Sequence, residues 1–268
     1  MEGIVRRALI ACAATTALLV AGAASAAPTL TNGNFETNTG NGQVAFNTTV
    51  AGWNVVPPGC SPTCLAAGTQ SYTFVFNGDG PVSGSTADKT GANGFYGNVT
   101  FYGPGNGVAN GFTADTLPGG GGAFVAADPA FQNAALQTTI TGLTLGQTYQ
   151  ISFDWAAAQQ VGFFGITTEG WHASIAGTTS STSTATTPNM GFTPWANKTF
   201  TFTADGTSDV LSFLSFGGPS ATQPPFALLD NVTVTPVPEP ATWALMLVGV
   251  GALGAGLRMR RREVFAAA

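Results

Sequence analysis

The sequence predicts an all-β chain: an antiparallel β-sandwich carried between two membrane-directed ends. Three observations predict it. Apolar and polar residues alternate with period two through the middle of the chain, where helical periodicity is hard to find. Clusters of Gly, Pro, Asn and Ser divide that alternation into segments of strand length. The ends differ from the middle, each joining an uncharged apolar run to arginines, and all six arginines of the chain lie there.

At the start, Met1 to Arg7 is a short basic stretch, Ala8 to Gly22 an apolar run, and Ala24-Ser25-Ala26 an A-x-A cleavage site ahead of Ala27-Pro28. Residues 1–26 therefore read as a secretory signal peptide, and Cys12 leaves with it.

Residues 27–237 follow as one β-sandwich domain. The clearest strand is Gln147 to Trp155, which puts Tyr149, Ile151, Phe153 and Trp155 on one face and Gln150, Ser152 and Asp154 on the other. Further strands are expected at Val44 to Val56, Ser71 to Phe76, Ala135 to Ile140, Trp171 to Ala176, Lys198 to Thr203, Val210 to Phe216 and Phe226 to Val234. Two segments break the rhythm and are expected to be long surface loops: Gly103 to Gly122, with eight glycines, and the Ser/Thr tract Gly177 to Pro188.

The domain's charge narrows its partners. Lys89 and Lys198 face ten acids, a net charge of −8. Such a surface has no footprint for a phosphate backbone, which excludes nucleic-acid binding, and a divalent cation is the more natural charged partner. Cys60 and Cys64, in Cys-Ser-Pro-Thr-Cys, are expected to form a disulfide in an oxidising exported setting, closing too short a loop to stabilise the whole domain much.

Catalytic residue types are scarce. His172, the sole histidine, alternates away from Trp171, Ala173 and Ile175 as a polar-face strand residue, and no Gly-x-Ser-x-Gly elbow accompanies it. Asp154 and Glu169 flank the connection 156–168 and are the candidate carboxylate pair for a glycoside hydrolase. Loop aromatics are the candidate ligand-facing groups: Tyr96, Tyr102, Phe164 and Trp195, with Phe95, Phe101, Phe163 and Phe192 beside them; the alternative is that they cover the ends of the core. Asp230 falls on the alternate face that holds Phe226, Leu228, Val232 and Val234, so its carboxylate is expected among apolar groups, where it needs a cation or hydrogen-bond donors. A calcium ion shared with Glu36 and carbonyls of Asn32 to Phe35 is one answer; backbone N–H donors where the last strand meets the first are the other.

At the C-terminus, Pro238-Glu239-Pro240 and two spacer residues precede Trp243-Ala244, inside an uncharged, Gly-punctuated run from Ala241 to Leu257. The arginine patch Arg258, Arg260, Arg261 and Arg262 follows. At about 1.5 Å per residue the run gives roughly 25 Å of helix, near the lower limit for spanning a hydrocarbon core. The arginines place residues 263–268 as a cytoplasmic tail and the domain outside. Segment 238–262 resembles the PEP-CTERM sorting signal of Gram-negative bacteria in its PEPxxWA variety. That resemblance implies processing by an exosortase near Pro238-Glu239-Pro240, from an inner-membrane-anchored precursor to a product at the cell surface or in exopolysaccharide. An ordinary membrane anchor is the alternative.

A second resemblance spans the domain. Asn32-Gly33-Asn34-Phe35-Glu36, Gly52-Trp53, Gly142 to Tyr149 and Leu229-Asp230-Asn231-Val232 are similar to pieces of galactose-binding-like jelly rolls, a fold used by carbohydrate-binding modules. It implies a jelly-roll-like sandwich, and a structural calcium between first and last strands at Glu36 and Asp230. The expected function is a non-enzymatic structural or glycan-binding surface protein of the polysaccharide matrix. The alternatives are an extracellular polysaccharide-active hydrolase and a self-associating matrix protein or adhesin.

Overall fold

The computed structural model describes residues 27–57, 71–78, 91–103, 118, 122–220, 222–238, 246–254 and 258. The signal peptide, Cys60, Cys64 and most of the glycine-rich stretch lie outside them. So do the sorting-motif residues Glu239, Pro240, Trp243, Ala244, Arg260, Arg261 and Arg262, whereas Pro238 and Arg258 are described.

The domain is a jelly-roll-like β-sandwich. Numbered in chain order, its eight-stranded sheet runs β12 (Phe192–Thr203), β8 (Thr148–Gln159), β14 (Pro225–Pro236), β6 (Gly122–Ala127), β3 (Thr73–Gly78), β1 (Gly42–Gln43), β4 (Ala92–Gly94) and β5 (Gly97–Val99). The smaller sheet runs β10 (Thr178–Ser181), β9 (Thr167–Ile175), β13 (Ser208–Gly218), β7 (Ala135–Thr141) and β2 (Trp53–Val56), with β11 (Ala185–Thr187) also on β9. The strand pairs are antiparallel apart from β1 with β4. Three expected strands extend further: Gln147 to Trp155 continues to Gln159, Lys198 to Thr203 begins at Phe192, and Trp171 to Ala176 begins at Thr167.

Three expectations change. Residues 44–50 do not continue a strand into β2; Ala45 takes a left-handed φ of 65°, and Phe46 and Thr48 donate their backbone N–H groups to Gln43, closing a turn. The Ser/Thr tract is not one long loop, because β10 and β11 pair along β9. Finally, β6 is a strand that the alternation does not reveal.

The reason for that last change is a second apolar layer. Val75, Val125, Ala157 and Leu229 face the smaller sheet in one core, while Phe74, Phe124, Ala126, Ala158, Phe226 and Leu228 build another on the opposite face. Phe101, Ala92 and Val99 cover that outer face. Strands buried on both faces read as continuous apolar runs, so Ala123–Ala127 and Phe226–Leu229 carry no period of two. The inter-sheet core is fixed across its depth by Trp171, whose Nε1 donates to the Leu228 carbonyl at 3.0 Å.

Beyond Pro238, residues 246–254 are helical, and Met246, Leu247, Val248, Val250 and Leu253 are all exposed. Among the described residues no helix is long and apolar enough to cross a membrane; the expected span 241–257 is described only in part.

Candidate functional site

The first and last segments of the domain meet. Asn32 shapes the first: its side chain accepts from Thr37 N–H at 2.9 Å and donates to the carbonyls of Thr37 and Ala51. This loop holds Phe35 at a positive φ of 57° and buries its ring against Trp53, at 5.0 Å between centroids. Gly33 lies against the Val232 carbonyl with no room for a β-carbon, and its own carbonyl accepts from Val232 N–H at 2.8 Å. Gly122, at φ +114°, leaves space for the Glu36 carboxylate, which accepts from Ala123 N–H at 2.7 Å.

Asp230 stands beside this junction. It is buried and pairs directly with Asp154 of β8, and a bulge follows it before Thr233. Asn231 occupies the bulge at φ 49°. The bulge flips the later side chains, so Asp230 shares its face with Phe226 and Leu228, while Val232 and Val234 turn to the inter-sheet core. The single alternating face expected from Phe226 to Val234 is corrected accordingly. Burial pushes the Asp230 carboxyl up to about 8; the Asn231 N–H opposes the shift, and the charges of Glu36 and Asp154 add to it. Asp154 accepts from the amides of Asn197 at 2.9 Å and Asn231 at 3.1 Å.

Glu36 and Asp230 are thus neighbours, with Asp154 as a third acid. Carboxylate oxygens are the donors a hard cation takes, and such an ion would offset the burial that, ahead of the charges of Glu36 and Asp154, favours the protonated Asp230 carboxyl. The loop carbonyls fit less well: those of Asn32, Gly33 and Phe35 already accept from Trp53 Nε1, Val232 N and Asn38 Nδ2. Among the described residues no group of three or more His, Cys, Asp or Glu is placed to hold a metal ion.

The candidate aromatics divide. Tyr102 is only 6 % exposed, so it does not face a ligand, and Phe101 and Phe192 belong to the outer core. Trp195 is half-buried at the β12 bulge and packs edge-on to Phe124 at 6.0 Å. Tyr96 and Phe164 are outward, at 55 % and 63 % exposure. Tyr96 has two companions that the alternation did not single out as a group, Phe95 at 54 % and Phe46 at 44 %. Phe46 meets Phe95 edge-on at 5.6 Å, Phe95 meets Tyr96 at 4.9 Å, and Tyr96 meets Phe131 at 5.3 Å. The strip is anchored inward through Phe131 to Tyr72 and Phe74. Phe46 reaches it only because residues 44–48 turn instead of running straight.

Polar groups border the strip. Gln132 Nε2 donates to Tyr96 Oη at 2.9 Å, Gln43 Oε1 accepts from Phe95 N–H, and Asn47 Nδ2 donates to the Asn93 carbonyl. Ala45, next to Phe46, also lines a groove of about 740 Å3 along β2, with Asn54, Gln137 and Thr139 in its walls. These bonds hold the strip in place, with Gln43 fully buried beneath it, and an exposed aromatic strip so fixed is suited to the face of a sugar ring.

The candidate hydrolase pair does not assemble. Asp154 lies on the outer face of β8 with Ala156 and Ala158, whereas Glu169 points into the sandwich from β9 with Trp171. His172 is on the outer face of β9, stacked on Phe216 at 4.3 Å and hydrogen-bonded to Ser181.

Residues 236–262 match the PEP-CTERM protein-sorting motif, a span that includes the whole arginine patch, Arg258, Arg260, Arg261 and Arg262. No curated protein matches the chain in sequence. Among solved structures, similar ones include TmCBM61, described in complex with β-1,4-galactotriose, at 15 % identity over 78 % of this chain and 97 % of that one, with a TM-score of 0.38. The C-terminal domain of the sugar-binding protein EclA is 17 % identical over 40 % of this chain and 69 % of that one, at a TM-score of 0.29. The enzymatically active domain of bacteriophage CBA120 tailspike protein 4 is 12 % identical over 78 % of this chain and 21 % of that one, at 0.35. At these scores the likenesses transfer neither ligand nor activity.

Proposed function

We propose that residues 27–237 form a non-enzymatic glycan-binding domain, exported and then released or displayed at the cell surface by exosortase processing next to Pro238. The observation that carries the binding half is the strip Phe46, Phe95 and Tyr96, exposed yet anchored through Phe131 to the outer core. Exposed rings packed edge-on to one another keep their positions without a ligand, which lowers the ordering cost of binding. The separation of Asp154 from Glu169 on different faces weighs against the hydrolase reading, and the pairing of β10 and β11 removes one of the two loops that suggested self-association.

A glycan array probed with the 27–237 domain tests this reading. Saturable binding to a defined class of polysaccharide, lost in Phe95→Ala/Tyr96→Ala, is expected; binding that survives both substitutions, or release of reducing sugars, overturns it. The same reading includes a structural calcium ion at Glu36 and Asp230. Calcium bound there would tie the first segment to the last strand and stabilise the fold by mass action, about 2.7 kcal/mol at a hundredfold excess over Kd. Chelator should lower the melting temperature of the parent and leave Asp230→Asn unchanged; equal behaviour of the two removes the ion from the site.

A further inference from the structure

The aromatic strip is held from beneath by a residue that a ligand does not reach. Gln43 is 0 % exposed, and three separate segments converge on it. Its backbone carbonyl accepts from the N–H groups of Phe46, Asn47 and Thr48 at 3.1, 3.2 and 3.3 Å, which closes the turn that carries Phe46. Its own N–H donates to Asn47 Oδ1 at 2.8 Å. The side chain leaves that turn: Oε1 accepts from Phe95 N–H at 2.8 Å, and Nε2 donates at 2.8 Å to the carbonyl of Ser71, two residues before β3.

These two partners fix the amide one way round, because a carbonyl needs its NH2 end and an N–H needs its oxygen. Gly94 makes the approach possible, since a β-carbon there would meet Gln43 Oε1 at 2.8 Å and the Phe74 ring at 2.6 Å. Asn47 adds a second tie, from its Nδ2 to the Asn93 carbonyl at 2.8 Å. A buried amide is costly unless both its ends are hydrogen-bonded, and here both are. The result is a fixed relation between two turns distant in sequence, one bearing Phe46 and the other Phe95 and Tyr96. The rings of Phe46 and Phe95 lie 5.6 Å apart across that tie. Rings that keep their spacing without a ligand lose less freedom when one binds.

We propose that Gln43 is the positioning residue of the strip: it sets Phe46 against Phe95, and so the affinity for polysaccharide, without touching the ligand. This role rests on the reading of the strip as the ligand-binding surface. Affinity electrophoresis of the full chain in neutral detergent, in gels containing the exopolysaccharide of the producing cells, tests both and keeps them apart. Gln43→Met should weaken binding about tenfold, the scale of ordering two side chains on association. Gln43→Glu, which keeps an acceptor for Phe95 N–H, should recover most of that loss. In a Phe46→Ala/Phe95→Ala background, Gln43→Met should add nothing, since it acts through those rings. Gln159 supplies the control for stability. It is equally buried and ties a different loop, donating to the Gly165 carbonyl at 2.9 Å and accepting from Met190 N–H at 2.6 Å. Gln159→Met should therefore lower the melting temperature as Gln43→Met does and leave affinity unchanged. Affinity lost in Phe95→Ala/Tyr96→Ala but kept in Gln43→Met overturns the positioning role alone. So does an equal loss in Gln159→Met, or Gln43→Glu binding no better than Gln43→Met. Affinity kept in Phe95→Ala/Tyr96→Ala overturns the strip itself, and the positioning role with it.

Discussion

Asp230, Asp128 and Glu169 are held by burial well above the ordinary carboxylate range, to about 8, 7 and 7. A folded-state pKa raised in this way favours the protonated form in the native protein. The associated stability is complete below the unfolded-state values near pH 4 and is lost as pH rises through the folded values. Metal-free protein should therefore melt progressively lower between about pH 4 and about pH 8, and Asp230→Asn should flatten the upper part of that decline. A pH series of thermal melts checks both; a melting temperature that climbs across this window contradicts the burial of these acids. A second prediction concerns Gly33, where an added β-carbon meets the Val232 carbonyl. Gly33→Ala should cost about 1–3 kcal/mol in urea unfolding, the usual range for overpacking. At this scale the burial of Asp230 was legible in the sequence, whereas its pairing with Asp154 was not, Asp154 having been readable only as half of a different pair. That pairing is set by the register between β8 and β14, which alternation along either strand alone does not fix.

Among the elements, the strands with one buried face were the legible ones. β8 alternates from Tyr149 to Trp155 because only its core-facing positions are apolar there, and the pattern stops at Ala156, where both faces become buried. β6 lies wholly within that doubly covered region and reads as an undifferentiated apolar run behind glycines. The turn at 44–48 was equally hidden, since Ala45 is not a residue whose type announces a positive φ. That turn decides the function proposed, because it brings Phe46 to Phe95. The two aromatic populations then predict different outcomes. Phe76→Ala, in the outer core against Phe124 at 5.2 Å, should cost about 3–5 kcal/mol of stability. Phe95→Ala should cost about 1 kcal/mol, the scale of an aromatic pair interaction, while removing glycan affinity. Urea unfolding and binding measured on the same two variants separate the roles; equal stability losses would place Phe95 in the core.

Over the whole molecule, the sandwich ends where the sorting motif begins. Val237 N–H donates to the Thr148 carbonyl and the Val237 carbonyl accepts from Gln147, so the sheet's hydrogen bonds reach the residue just before Pro238. The motif residues therefore follow the folded domain without a spacer, and replacement of Pro238-Glu239-Pro240 by alanines should leave a full-length precursor on immunoblots of cell fractions, with the domain still folded. The acidic, arginine-free domain has little attraction for anionic surfaces, which leaves recognition of a polysaccharide to ring stacking and amides rather than charge. The most direct measurement is affinity electrophoresis of the 27–237 domain in gels containing the exopolysaccharide of the producing cells. Retardation of the parent domain that disappears in Phe95→Ala/Tyr96→Ala, at unchanged melting temperature, is the predicted result. Mobility identical for parent and variant in every polysaccharide gel contradicts the account.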